Sequence, residues 1–419
     1  MPFEPSRPYT EFRMVKLRKP FFWIHLVVEL AVGVAVLSMS VTGVVLVLAP
    51  QITAFAERRV ATENVTPRGS RLNPQELLDR AAKQNIEANA VTIYADRSRA
   101  AEVYTDDGII LVSADTGRML GKPDLALRNF FKAITRWHRQ FAFAGQSRAT
   151  GRAITHAANL ALLFLAAVGI YLWWPRRWTL RYLRSVAWFR TDVKAKARDF
   201  NWHNTAGVWC LIPLSIISFT GVLMSYQWAN RVLYRVTGSP MAVAEAGDDS
   251  KQDEEETAAP PSGEAIPLDK LWSTAESRVV DWKSIYFEVP DATDAEIGFR
   301  IDASDGGRPD QRSTLTLDRY SGSVTGWDNF AGQSAARKVR LLGRYAHTGQ
   351  LGGLPGQIVA GIASLFCVLL VWTGGSLSLH RLRAARARSR RKPKTVPVGT
   401  PPGIDKRPAP RERELIPTV

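Results

Sequence analysis

The sequence has few cysteines, few histidines and almost no charge inside its long apolar runs, and each shortage excludes something. Two cysteines, Cys210 and Cys367, among 419 residues cannot staple a secreted disulfide scaffold. No CxxC motif or Cys/His cluster offers a zinc site. No GxGxxG follows a strand signal, so the chain has no flavin- or nicotinamide-binding domain of its own. Low hydrophobicity is absent too: 46% hydrophobic residues and 13 Trp do not suit a disordered basic protein. What is plentiful is positive charge, 55 Lys+Arg against 39 Asp+Glu for a net +16. Such a surplus ordinarily raises nucleic acid as a partner, so its placement along the chain decides the matter.

Four apolar runs, near Phe21–Ala49, Ala153–Trp174, Thr205–Trp228 and Leu354–Leu379, each reach the ~20 residues a helix needs to cross a bilayer. The only acid inside them is Glu29. Residues 1–20, 175–200 and 381–419 together hold 25 Lys+Arg against 7 acids, a net +18, and the remainder is −2. This is a positive-inside distribution with both termini cytoplasmic, and it excludes nucleic acid as a partner. The first run is about twice the length of a signal-peptide core, although Ala54-Phe55-Ala56 resembles a cleavage site. It reads as a membrane helix.

The expected organisation is therefore a cytoplasmic start (1–20), a first span (21–49) and an outer segment (50–152). A second span (153–174), a basic cytoplasmic loop (175–203) and a third span (204–228) follow. A second outer segment (229–353), a fourth span (354–379) and a basic tail (380–419) complete it. Within the second outer segment, residues 245–263 are acidic and Pro-rich, and disorder is expected there. The basic tail suits anionic lipid.

The order of elements occurs twice. His25 precedes Thr42-Gly43 by 17 residues, and His203 precedes Thr220-Gly221 by 17. Gly151 to Gly169 and Gly356 to Gly374 are both separated by 18, each pair with a histidine upstream, His138 and His347. The first outer segment carries a helix start at Asn73-Pro74-Gln75-Glu76, with Asn as cap, Pro at the first position and Glu at the third. Strand-like runs at Val91–Tyr94, Ala101–Tyr104 and Ile109–Val112 end in the turn Asp115-Thr-Gly117. The second segment repeats this, with a helix near Leu268–Val280 and strands near Ser284–Val289, Ile297–Ile301 and Thr314–Leu317. It closes on the turn Asp318 to Gly322. The fold class expected is an α-helical integral membrane protein, four transmembrane helices in two pseudo-symmetric pairs with two small α+β outer domains.

The six histidines lie in or near the spans. A pseudo-two-fold arrangement brings His25 to the depth of His203 near the inner face, and His138 to that of His347 near the outer face. Two neutral imidazoles facing one another across a helical bundle are a natural axial pair for haem iron. The 18 residues from His25 to Gly43 span ~27 Å of helix, which separates the two pairs across the membrane. A divalent-metal transporter competes, but it wants carboxylates near the midplane, and only Glu29 is available. Glu29, one turn from His25, either holds the ring's other nitrogen, takes part in proton balance or faces a polar neighbour. His156 in the second span replaces His138 as outer ligand, bonds a haem propionate or makes a helix–helix hydrogen bond. His380 is expected at the interface. Gly33 and Gly207 suit close approach of a macrocycle or of a helix, and Trp173, Trp174 and Trp178 an interfacial anchor.

Several motifs resemble the PepSY-associated transmembrane-helix family, particularly its bacterial inner-membrane ferric-siderophore reductases. They are Ile154-Thr-His-Ala-Ala-Asn-Leu with Gly169-Ile-Tyr-Leu-Trp-Trp-Pro175, then Ala197-Arg-Asp-Phe-Asn-Trp-His203-Asn, then His347-Thr-Gly with Gly356-Gln. The two hairpin turns also resemble PepSY modules. The resemblance implies PepSY-like periplasmic domains and b-type haem, two per chain. Its ligands fall on His25, His203, His138 and His347, with His156 a departure from the family's small residue. It further implies an oxidoreductase that passes electrons to a ferric siderophore. Because the cytoplasmic segments are too short for a nucleotide domain, the donor is external, a soluble reductase or quinol. A non-redox reading stands beside it: a membrane anchor whose outer domains bind a peptidase or cell-wall partner. A siderophore permease is the weakest alternative, having no polar path at the midplane.

Overall fold

A computed structural model of the chain describes residues 10–62, 71–123, 125–175, 178–240, 264–291, 293–304 and 308–390. The acidic stretch 245–263 lies outside them. The chain divides into two compact units, Met1–Ser378 and Leu379–Val419. The described part of the second is the end of the helix that begins at Gly353.

Among the described residues, four helices are long and apolar enough to cross a membrane: α1 (Thr10–Leu46), α5 (Arg148–Trp173), α7 (Ala195–Ser225) and α11 (Gly353–Arg390). They correspond to the four apolar runs. Where they meet, the buried side chains are small or slender, with Val36, Ala158, Cys210, Leu214, Ala363 and Cys367 forming one cluster. Small residues let helix backbones approach closely, which replaces the hydrophobic drive that lipid cannot supply. Large apolar side chains such as Val34 and Ile212 point outward and are exposed, as lipid-facing residues are. Both cysteines are free and buried at this centre.

The two outer segments, expected as separate α+β modules, join in one sheet. The first supplies α2 (Ala49–Thr62), α3 (Pro74–Ala82), β1 (Ala90–Tyr94), β2 (Ala101–Thr105), β3 (Gly108–Val112), β4 (Met119–Gly121) and α4 (Leu125–Gln140). The second supplies α8 (Gln227–Val236), α9 (Leu268–Arg278), β5 (Ser284–Glu288), β6 (Glu296–Asp302), β7 (Arg312–Asp318), β8 (Val324–Asn329) and α10 (Ala335–His347). The strand order is β4-β3-β2-β1-β5-β6-β7-β8, with every pairing antiparallel. At the seam, Val91 pairs with Phe287 and Ile93 with Ile285. All four are buried in a single core that also takes Leu77 of α3 and Trp272 of α9. β6 alternates strictly between buried and exposed residues, because one face packs on the helices and the other does not. The two halves share this core because each alone presents only four short strands and one covering helix.

Local signals account for the elements. Asn73 caps α3 by accepting the Glu76 amide at 2.7 Å, with Pro74 at the first helical position. The second hairpin turn is led by Asp318, whose Oδ1 accepts the Tyr320 and Ser321 amides before Gly322 closes at φ 71°. In the first turn the equivalent place belongs to Ser113, whose carbonyl accepts the Gly117 amide and whose hydroxyl accepts that of Thr116. Asp115 instead pairs with Arg97 at 3.0 Å.

Candidate functional site

Two amphipathic helices, α4 and α10, seat the outer histidines. α4 packs on α1 and α5, and α10 on α7. Each reaches its histidine, His138 or His347, within its last turn. Beyond α4 the chain reverses through Phe141 and Ala142, both left-handed at φ 52° and 57°. There the Thr155 hydroxyl donates to the Arg139 carbonyl at 2.7 Å. Beyond α10, Gly349 turns the chain at φ 73°. The paired glycines noted in the sequence make these turns possible. A Cβ on Gly151 would lie 2.2 Å from the Gln140 carbonyl oxygen, and one on Gly356 would lie 2.3 Å from that of Gly349.

His138 and His347 meet with ring centroids 6.4 Å apart and planes inclined by 71°. Threonines on α1 and α7 orient them. The Thr42 hydroxyl donates to the Ser38 and Met39 carbonyls and contacts His138 Nδ1 at 2.9 Å. With its single proton already engaged, this oxygen accepts, so the ring proton sits on Nδ1. His347 Nδ1 is 2.8 Å from the Ile217 carbonyl, which can only accept, and 3.4 Å from Thr220 Oγ1. Both rings therefore leave Nε2 with a free lone pair. Burial, and then the facing His347, pushes His138 down to about 4, which keeps it neutral. Burial likewise lowers His347.

The second pair lies at the far end of the bundle from the sheet. His203 Nδ1 contacts Thr373 Oγ1 at 3.0 Å, and that hydroxyl already donates to the Leu369 carbonyl at 2.7 Å. The same tautomer follows. His25 lies within electrostatic reach of His203. Its Cε1 would sit 3.8 Å from a Cβ on Gly169, and its Nδ1 is buried without a partner. Glu29 does not supply that partner, because its carboxylate occupies the space beside Gly374, where a Cβ would fall 1.4 Å from Oε1.

The His138–His347 pair has the separation that haem iron needs. Among the described residues no group of three or more His, Cys, Asp or Glu converges to hold a metal ion, whereas haem iron needs only two axial side chains. Two metal–nitrogen bonds of about 2 Å plus the inner halves of two imidazole rings span about 6 Å, which matches the outer pair. The Nδ1 of His25 is buried without a hydrogen-bond partner, which leaves that ring free for a ligand role. His156 packs against Tyr226, ring centroids 5.7 Å apart. His380 falls on the last turns of α11, in the second unit.

Two site residues, Thr42 and Thr220, were visible in the sequence as spacing marks, with nothing to say that they would hold histidines, and Thr373 was missed although it precedes the marked Gly374. The Asp199-Phe-Asn-Trp-His203 motif also resolves into parts. Asp199 is buried, paired with Arg198 at 3.1 Å and accepting from Ser376 at 2.6 Å. Asn201 donates to the Ser185 and Trp188 carbonyls and accepts the Arg190 amide, tying α6 (Leu180–Ala187) and the following loop to α7. The motif thus fixes the helix end that carries His203.

Four membrane-length helices, two of which carry His25 and His203, together with α4 and α10, which bring His138 to His347, and a shared sheet at one end make this an integral membrane protein built from two repeats. It belongs to the family of PepSY-associated transmembrane regions, whose model matches residues 22–381. No curated protein matches the chain.

Proposed function

We propose that the protein is a di-haem b-type electron-transfer protein of the bacterial inner membrane that reduces ferric siderophores on its periplasmic side. The observation that carries this is the approach of His138 and His347, whose Nδ1 protons are engaged by α1 and α7 so that both Nε2 lone pairs are free. His25 and His203 form the second pair. The charge partition supports placing His25 and His203 near the cytoplasm and the sheet in the periplasm.

Haem bound at the two pairs supplies one-electron transfer. The chain supplies the rest: threonine hydroxyls and helix carbonyls fix the ring tautomers, and the apolar bundle excludes water. The glycine turns hold the outer histidines at the membrane surface beneath the sheet. An external donor, a soluble reductase or quinol, gives up the electron, and Fe(III) in the siderophore is reduced to Fe(II). Hard oxygen donors bind Fe(II) far more weakly, so reduction releases the iron.

A pyridine haemochrome assay on purified protein tests this. Two b haems per chain are expected, falling to one in His347→Ala. Colourless protein would overturn the reading and favour a membrane anchor whose sheet binds a cell-wall or peptidase partner.

A further inference from the structure

The helix-borne threonines that hold the histidines follow one rule. In each, a Thr-Gly step presents the Thr hydroxyl to an Nδ1: Thr42-Gly43 to His138, Thr220-Gly221 to His347 and Thr373-Gly374 to His203. The 18-residue glycine spacing of α5 and α11 puts Gly169 where Gly374 stands, and therefore Val168 where Thr373 stands. The geometry agrees. His25 Cε1 lies 3.8 Å from a Cβ placed on Gly169, and His138 Cε1 lies 3.7 Å from one placed on Gly43. The ring is seated in the same way, but the hydroxyl is missing. Val168 is 5% exposed, with its two methyls where a threonine has one methyl and one hydroxyl. His25 Nδ1 is accordingly buried without a partner.

We infer that Val168 is a positioning residue, an omitted clamp that leaves His25 as the one unanchored histidine of the four and so tunes the inner site apart from the outer. This rests on the haem reading above. An imidazole whose Nδ1–H is donated to an acceptor is a more basic ligand, which favours the ferric state. Withholding the acceptor from His25 favours the reduced state at the inner site, while both outer rings are fully held. The ring of His25 is also freer to rotate about its ligand bond than its three counterparts. The repeat therefore encodes an inequality between its two ends through a single methyl-for-hydroxyl exchange.

The test uses the purified haem-loaded protein and compares Val168→Thr, Thr373→Val and Thr42→Val by optical redox titration and low-temperature electron paramagnetic resonance. Val168→Thr is expected to move one of two midpoints to more negative potential and to shift that haem's low-spin signal. Thr373→Val should move the same midpoint the other way, and Thr42→Val should move the other midpoint. Identical midpoints and spectra in Val168→Thr and the parent would overturn the inference while leaving two haems in place. Should Val168→Thr fail to assemble, an unmoved midpoint in Thr373→Val overturns it instead. Absence of haem from the parent protein would defeat the haem reading itself, a distinct outcome.

Discussion

The carbonyl of Gln140 sits directly over the Cα of Gly151, leaving no room for a side chain: a Cβ there would lie 2.2 Å from the oxygen. The last residue of α4 thereby rests on the first turn of α5, and His138 is held two residues before that contact. Gly151→Ala must push the end of α4 away from the bundle. The expected cost is at least about 1–3 kcal/mol, and with haem held as proposed, the one at His138 and His347 should be lost selectively in a haemochrome assay. Retention of both haems with unchanged spectra would show that the contact does not govern His138.

Glu29 and Gly374 form a second close approach, between α1 and α11. Gly374→Ala should displace the carboxylate and disturb the neighbouring Thr373–His203 contact, which would weaken the haem proposed at His25 and His203. Glu29→Ala removes the obstacle, so the double variant should recover part of the loss. The coupling between the two changes should be about 0.5–3 kcal/mol in a thermal-unfolding cycle. Strict additivity would place Glu29 elsewhere.

Phe287 is fully buried at the seam, packing on Trp272 with ring centroids 6.0 Å apart and on Phe299 at 5.7 Å. Phe287→Ala should destabilise the sheet by about 3–5 kcal/mol. Because Phe287 pairs with Val91 of the other half, hydrogen exchange should speed up in β1 as well as β5. An effect confined to β5 would mean that the halves open separately.

Tyr104 donates to the buried Glu102 at 2.8 Å, and Tyr94 donates to its other oxygen at 3.0 Å. Burial first, then the Glu102 charge, pushes Tyr104 up from 10.0 to about 12, and Tyr94 is raised as well. The folded state therefore holds these protons more tightly than the unfolded chain. The Tyr104 contribution to stability is complete below pH 10 and is lost as pH rises from about 10 to 12. Absorbance near 295 nm should show delayed phenolate formation, and Glu102→Gln should bring Tyr104 closer to its ordinary range. Ionisation of Tyr104 at pH 10 in the parent would contradict the burial.

The spans and most strands were legible because their periods and lengths are local properties: Asn73-Pro74 announces α3, and the alternation of β6 is written in Glu296–Asp302. The histidine pairs were legible through the repeat. The β1–β5 pairing was not, since joining Val91 to Phe287 depends on contacts nearly two hundred residues apart and on a core that neither half completes. The Thr-Gly steps gave their spacing but not their use, because each threonine serves a histidine from another segment: Thr42 takes His138, and Thr220 contacts His347. The missing hydroxyl at Val168 is invisible in an apolar run, where valine is the ordinary residue.

The β1–β5 seam has a mechanical consequence. A protein that moves its cargo by rocking one repeat against the other needs the repeats to part on alternate sides of the membrane. Here eight strands stitch the repeats together on one side with a common hydrophobic filling. Parting them would tear backbone hydrogen bonds and expose Phe287 and Ile285 to water. The seam works as a clasp that holds the two halves in one frame on the side of the sheet, and the electron transfer proposed above, which needs fixed distances, is what such a frame would serve.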